Sequence, residues 1–186
     1  MRTLLALLAL TSPALADSHG LTLEGQVVDV RGGQVIGFGP TGVLALGEGR
    51  LQLLAEGGLG MLGATQPSDR LGYYGTARVG GRLVAASLGT ARSEGMDVLL
   101  VLDAGVGGER YWLDGAGGVN RPYVFFGWGT HLAGEHHAFV FDLRLAASPP
   151  LDDPAALRAL CRGVCTGASD QPVDLSIDFL FGVVAW

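Results

Sequence analysis

Lysine does not occur in this sequence of 186 residues; all 12 of its basic side chains are arginine. The formal charge is −6 and the isoelectric point lies near 5.0. A chain that binds nucleic acid must offer the phosphates a basic face, so no nucleic-acid partner is expected. Charge of either sign is scarce, at 16% of residues, where an average soluble domain carries about 25%. Mean hydropathy is +0.36. Disorder needs low hydrophobicity and high charge, so it is excluded as well. Beyond residue 16 there is no apolar run long enough for a membrane-spanning helix. Catalytic motifs are missing too: there is no G-x-S-x-G and no H-E-x-x-H. Gly105-Val106-Gly107-Gly108 has the look of a phosphate loop, but no helix and no lysine follow it.

What the chain has in excess is glycine, 31 residues without a G-X-Y period, which rules out a collagen-like helix. At the amino end, Met1-Arg2 precedes the apolar stretch Thr3 to Leu10. Thr11-Ser12-Pro13 interrupts it, and Ala14-Leu15-Ala16 has the A-x-A form of a cleavage site. Residues 1–16 are therefore expected to be a secretory signal peptide and 17–186 a single exported domain.

The remainder reads as strands separated by turn residues, over 21–30, 34–46, 51–61, 72–88, 96–112, 121–132, 137–147 and 173–186. Side chains point alternately to the two faces of a strand, so a period of two marks one apolar face. Val173, Leu175, Ile177 and Phe179 share a face opposite Asp174, Ser176 and Asp178. Phe139, Phe141, Leu143 and Leu145 oppose Ala138, Val140, Asp142 and Arg144. Tyr73, Ala77, Val79 and Leu83 oppose Thr76, Arg78 and Arg82. The same alternation runs through 51–61, where Gln52 and Glu56 face away from the leucines, and through 121–132.

A soluble barrel turns the apolar face inward, whereas a transmembrane barrel turns it to lipid. The polar face here is rich in glycine and in both signs of charge: Glu24, Glu56, Asp103, Asp142, Asp174 and Asp178 against Arg78, Arg82 and Arg144. A narrow lumen needs small residues for room and opposite charges for mutual neutralisation, because lone charges there face a large desolvation cost. These nine residues are the expected lumen charge network. Connection lengths point the same way. Turns at 47–50, 89–95 and 133–136 would face inward to the cell, and 31–33, 62–71, 113–120 and 148–172 outward, the last being the longest. Long outer loops and short inner turns are the bacterial pattern.

The leader, the barrel-sized remainder, the eight alternating segments and the terminal Trp186 resemble the small eight-stranded bacterial outer-membrane barrels of the OmpA/OmpX kind. The resemblance covers the whole of 17–186 and is one of pattern. It implies an antiparallel up-and-down transmembrane β-barrel in the outer membrane of a Gram-negative bacterium, among outer-membrane lipids. It also implies that Trp186 is an assembly signal read by the barrel-assembly machinery. Val184 and Leu180 share the parity of Trp186, while the stronger stripe Ile177-Phe179-Phe181-Val183 has the other parity. A bulge near Gly182 would bring Trp186 onto the lipid face.

Cys161 and Cys165 are the only cysteines, and two nearby cysteines in an exported chain are expected to form a disulfide. Asp153-Pro154 reads as an N-cap with proline at the first helical position, opening a short helix that ends near Gly163 within the last outer loop. His131, Glu135, His136 and His137 form an H-x3-E-H-H cluster, but Ala133-Gly134-Glu135-His136 reads as a hairpin turn, and turn residues of mixed direction seldom converge on one ion, so no metal site is expected. Barrel esterases and lipid A deacylases use a serine beside a strand histidine. His131 has Thr130 beside it, with Ser87 and Ser176 only on other strands. No catalytic residue, cofactor or metal is therefore expected. Asp103, Glu109 and Arg110 are candidates to pair with Arg78 or Arg82, and Tyr73, Tyr74, Tyr111, Trp112, Tyr123, Phe125 and Trp128 are candidates for an outer aromatic girdle. The functional expectation is a non-enzymatic scaffold without an open pore, whose segment 148–172 contacts an extracellular partner. A soluble lipocalin-like ligand-binding barrel and a lipid-modifying barrel enzyme are the alternatives.

Overall fold

The computed structural model describes residues 17–30, 33–47, 49–64, 70–91, 96–113, 117–161 and 172–186. Eight strands appear in chain order: β1 (Ser18–Val30), β2 (Gly33–Leu46), β3 (Leu51–Ala64), β4 (Arg70–Ala91), β5 (Met96–Leu113), β6 (Gly117–Ala133), β7 (His137–Ser148) and β8 (Asp174–Ala185). One helix, α1 (Pro154–Cys161), lies between β7 and β8. Each strand pairs antiparallel with its neighbour in sequence, and β8 closes onto β1 from His19↔Ala185 to Val28↔Ser176. Closure leaves no edge strand, since every strand pairs with a neighbour on each side. The architecture is an eight-stranded antiparallel up-and-down barrel.

Several strands run further than their sequence patterns indicate. β4 extends to Ala91 and β6 begins at Gly117, because glycine and threonine at the ends of the apolar runs still pair across the hairpins. The loop-length argument is corrected accordingly. Only 65–69 and 114–116 separate β3 from β4 and β5 from β6, so the 149–173 connection is the one long outer segment. α1 starts where the cap motif places it. Asp153 Oδ1 accepts the amide hydrogens of Ala155 at 2.8 Å and Ala156 at 3.2 Å. Cys165 lies outside the described residues, and the expected disulfide with it.

Parity places the apolar face outside. Leu21, Phe38, Leu59, Val79, Val106, Phe126, Phe141 and Phe179, one from each strand, are each 50–65% exposed. With their neighbours they form a continuous apolar belt far larger than the patches monomeric soluble proteins show. In hydrocarbon such a belt is favourable, and the closed ladder pairs each strand with both of its neighbours, as a spanning sheet requires. The barrel therefore spans a membrane, and the soluble lipocalin-like alternative does not fit its exterior.

The interior has apolar ends and a charged middle. At the outer end, Leu151 and the α1 residues Ala156 and Leu160 pack among Val28, Val30, Val35, Leu62, Tyr74, Tyr111, Leu113 and Val119. Towards the inner end, Leu54, Val84, Leu99, Val140 and Val184 pack together, with Trp186 against them. β8 pairs with both neighbours without a register shift. No bulge therefore falls at Gly182, and Trp186 sits at the inner rim instead of on the lipid face. Its Nε1 donates to the Glu135 carbonyl at 3.0 Å and its amide to that of His136 at 3.2 Å. The aromatic girdle is also corrected: Tyr74, Tyr111, Tyr123 and Phe125 are buried in the lumen, leaving Tyr73, Trp112 and Trp128 outside.

Phe179 lies halfway along β8 and faces outward. Phe179→Arg is expected to lower unfolding stability in lipid vesicles by about 2–4 kcal/mol, the cost of a guanidinium near a bilayer midplane. Urea titration reads the change, and a shift within experimental error would contradict the lipid-facing assignment.

Candidate functional site: the charged lumen

Strand parity delivers Glu24 of β1, Glu56 of β3, Arg78 and Arg82 of β4, Asp103 of β5, Asp142 and Arg144 of β7 and Asp178 of β8 to the interior, all buried. Arg78 donates from Nη1 to Glu24 Oε2 at 3.0 Å and from Nη2 to Glu24 Oε1, making a forked pair. It also reaches Glu56 Oε2 at 3.4 Å and Asp178 Oδ2 at 3.5 Å, and its Nε donates to the Tyr123 hydroxyl at 2.6 Å. Thr41 donates to Glu24 Oε2 at 2.8 Å. Arg144 forks onto Glu56 through Nη1 and Nη2, the latter at 2.7 Å, and reaches Asp103 Oδ2 at 3.1 Å. Arg82 grips Asp103 with two bonds of 2.9 Å and Asp142 Oδ2 with one of 3.0 Å. His131 Nε2 lies 3.1 Å from Asp142 Oδ1.

These contacts link eight of the nine expected charges into one network. Asp174 does different work: its Oδ2 accepts the Leu151 amide at 2.9 Å and tethers the start of the β7–β8 connection. A second cluster lies further out, where Glu109 Oε2 accepts Tyr111 Oη–H at 2.6 Å and Arg121 Nη1–H at 3.1 Å. Glu109 thus pairs with Arg121 and not with Arg78 or Arg82, and Arg110 points out of the barrel. Sequence reasoning had the signal for this. Asp103, Glu109 and Tyr111 share one parity and Arg110 the other, while Arg121 shares its parity with Tyr123.

Closely packed charge needs room on the opposing strands. A Cβ at Gly127 would come within 2.6 Å of Arg144 Cγ, and one at Gly107 within 2.6 Å of the Tyr123 ring. Both glycines are therefore clearances for a long inward side chain. β3 and β7 lie four strands apart in an eight-stranded ring, so the Arg144–Glu56 pair spans the full diameter. An eight-stranded barrel leaves an interior that side chains just fill.

His131 hydrogen-bonds a carboxylate, and no serine hydroxyl reaches it among the described residues. His131 is inside the barrel while His136 and His137 are exposed at the inner turn. Among the described residues no group of three or more His, Cys, Asp or Glu is placed to hold a metal ion.

An apolar belt around a closed eight-stranded ring, with an ion-paired lumen, defines a transmembrane β-barrel of the outer-membrane class. No family model and no curated protein matches the chain. Solved structures do. The barrel is similar to Neisserial surface protein A, with a TM-score of 0.60 and 10% identity over 94% of this chain and 99% of that one. It is also similar to the N-terminal β-barrel domain of Pseudomonas aeruginosa OprF, with a TM-score of 0.51 and 10% identity over 93% and 98% of the two chains. At such identity the likeness is one of fold.

Removing one member of the diametric pair leaves buried charge uncompensated. Arg144→Met is expected to cost about 3–5 kcal/mol of unfolding free energy. The double variant Arg144→Met, Glu56→Met is expected to recover part of that loss. Urea unfolding in vesicles measures both, and additive losses would show that the pair is not coupled.

Proposed function

We propose that this chain is a non-enzymatic scaffold of the outer membrane, closed to solutes, that presents its β7–β8 connection to an extracellular partner and contributes to envelope integrity. The observation that carries the reading is the double closure of the lumen. The Arg144–Glu56 pair spans its middle, and α1 packs Ala156 and Leu160 into the outer mouth. A barrel used for permeation needs neither feature. The 149–173 connection is by far the longest between strands, which favours it as the contact surface, since loops on a rigid scaffold commonly carry binding. In this reading residues 1–16 are the export signal, Cys161 and Cys165 join as a staple behind α1, and the strand ending at Trp186 is recognised by the barrel-assembly machinery.

Two measurements test it. Planar bilayers containing the purified chain are expected to show no conductance steps, and regular steps would overturn the closed-lumen reading. Antibodies raised against residues 148–172 are expected to label intact cells, whereas antibodies against the 133–137 turn should require permeabilised cells. The reverse pattern would place the long connection on the wrong side for an extracellular partner.

A further inference from the structure

At the outer end of β5 and β6 the belt gives way to polar side chains. On β5 the outward-facing residues run Leu100, Leu102, Ala104, Val106 and Gly108, and the next is Arg110. On β6 the corresponding outward row runs Phe126, Val124 and Pro122, and then Asn120, directly opposite Arg110 in the ladder. Arg110 Nη1 donates to Asn120 Oδ1 at 3.2 Å, and its guanidinium carbon lies 6.0 Å from the centre of the Trp112 ring. The side chain is exposed and has no carboxylate partner among the described residues. It lies over Gly118, where a Cβ would meet Nη2 at 2.7 Å. The absence of a side chain there lets the guanidinium bend towards the outer end, as a long cationic side chain at a membrane interface does. Below it, Leu59, Gly75, Ala77, Gly108, Trp112 and Pro122 line a groove of about 550 Å³ in the lipid-facing wall.

We propose that Arg110, Asn120 and Trp112 bind the headgroup of a phosphate-bearing lipid at the outer edge of the belt, with one of its acyl chains seated in the groove beneath. Charge complementarity selects the occupant. An unpaired guanidinium facing lipid is satisfied by an anion carried by lipid itself. Arginine presents several N–H groups to phosphate oxygens, and Asn120 adds amide hydrogens beside them. The small residues below give an acyl chain a depression; grooves of similar size lie between β1, β2 and β3 and between β6, β7 and β8, but no arginine lines either of them. The inference rests on the membrane placement argued above.

Brominated lipids test it, because bromine on an acyl chain quenches a tryptophan in contact with it. The full-length barrel carrying Trp128→Phe is refolded into phosphatidylcholine vesicles containing dibrominated phosphatidic acid or, separately, dibrominated phosphatidylcholine. Trp186 lies at the inner rim against the core and gives a constant background. Phosphatidic acid is expected to quench Trp112 with a relative association roughly fivefold above phosphatidylcholine, about what one arginine supplies at a membrane surface. Arg110→Gln should bring that ratio to about one. Gly108→Leu should reduce quenching by both lipids, since the position of its Cβ is open, with the Arg121 carbonyl 4.0 Å away the nearest atom. Equal quenching by the two lipids, or a preference that survives Arg110→Gln, would overturn the headgroup site. Undiminished quenching in Gly108→Leu would overturn the acyl seat. In a Trp112→Phe chain both bromolipids should quench Trp128 alike. Quenching by neither would overturn the membrane placement and the site with it, which separates the two failures.

Discussion

The arrangement turns on neutralising charge inside a tube too narrow for bulk water. A carboxylate or guanidinium removed from water alone costs several kcal/mol even after relaxation. The barrel keeps eight strands' worth of inward polar positions only because Arg78, Arg82 and Arg144 reach across strands to Glu24, Glu56, Asp103, Asp142 and Asp178. Most of those bonds tie β4 and β7 to strands that are not their neighbours, β4 to β1, β7 and β8 and β7 to β3 and β5, while Arg82–Asp103 joins the adjacent β4 and β5. The outside is held by the ladder and the lipid, and the inside by ionic cross-links between strands far apart around the ring. This is the reverse of a soluble barrel, where an apolar core unites the strands and charge faces water.

Much of this was legible because the period of a strand is two and a closed ring repeats one rule eight times. Once Phe139 and Phe141 share a face opposite Asp142 and Arg144, the inward set on β7 is determined. The same parity on β4 and β5 sends Arg78, Arg82 and Asp103 inward. Partners are another matter. Which carboxylate meets which arginine depends on ring position and on strand stagger, neither of which local pattern encodes. Arg144 meets Glu56, 88 residues earlier, because β3 and β7 happen to be opposite. The pairing of Glu109 with Arg121 followed from hairpin register, which places them directly across the β5–β6 ladder. The short outer turns were also misjudged from the sequence, since glycine signals a turn and equally fills a lumen-facing strand position.

Closure of the two ends drew on different physics. The outer mouth is closed by a local helix with readable signals: Asp153 as cap, Pro154 at the first turn, and Ala156 and Leu160 four residues apart on one face. No such element lies at the inner end among the described residues. There the side chains themselves become apolar, and Trp186, held by two hydrogen bonds to the β6–β7 turn, packs against them at the rim. Because β8 keeps its register to the end, the tryptophan inherits the parity of Val184. Its role at the rim could not be read from the resemblance that first singled it out.

The missing lysines connect the composition to this interior. Arg78 contacts Glu24, Glu56 and Asp178, and Arg144 contacts Glu56, Asp103 and Asp142. One planar guanidinium serves three carboxylates from different directions because its donors are spread over a rigid fork. An ammonium at the same depth is a point charge with three donors on a single nitrogen. It could hold one carboxylate well, and the acids outnumber the bases in this network. The arginines bind the acids of this network to one another, and Arg110, on the opposite parity, carries the same donors to the lipid face with no carboxylate partner among the described residues.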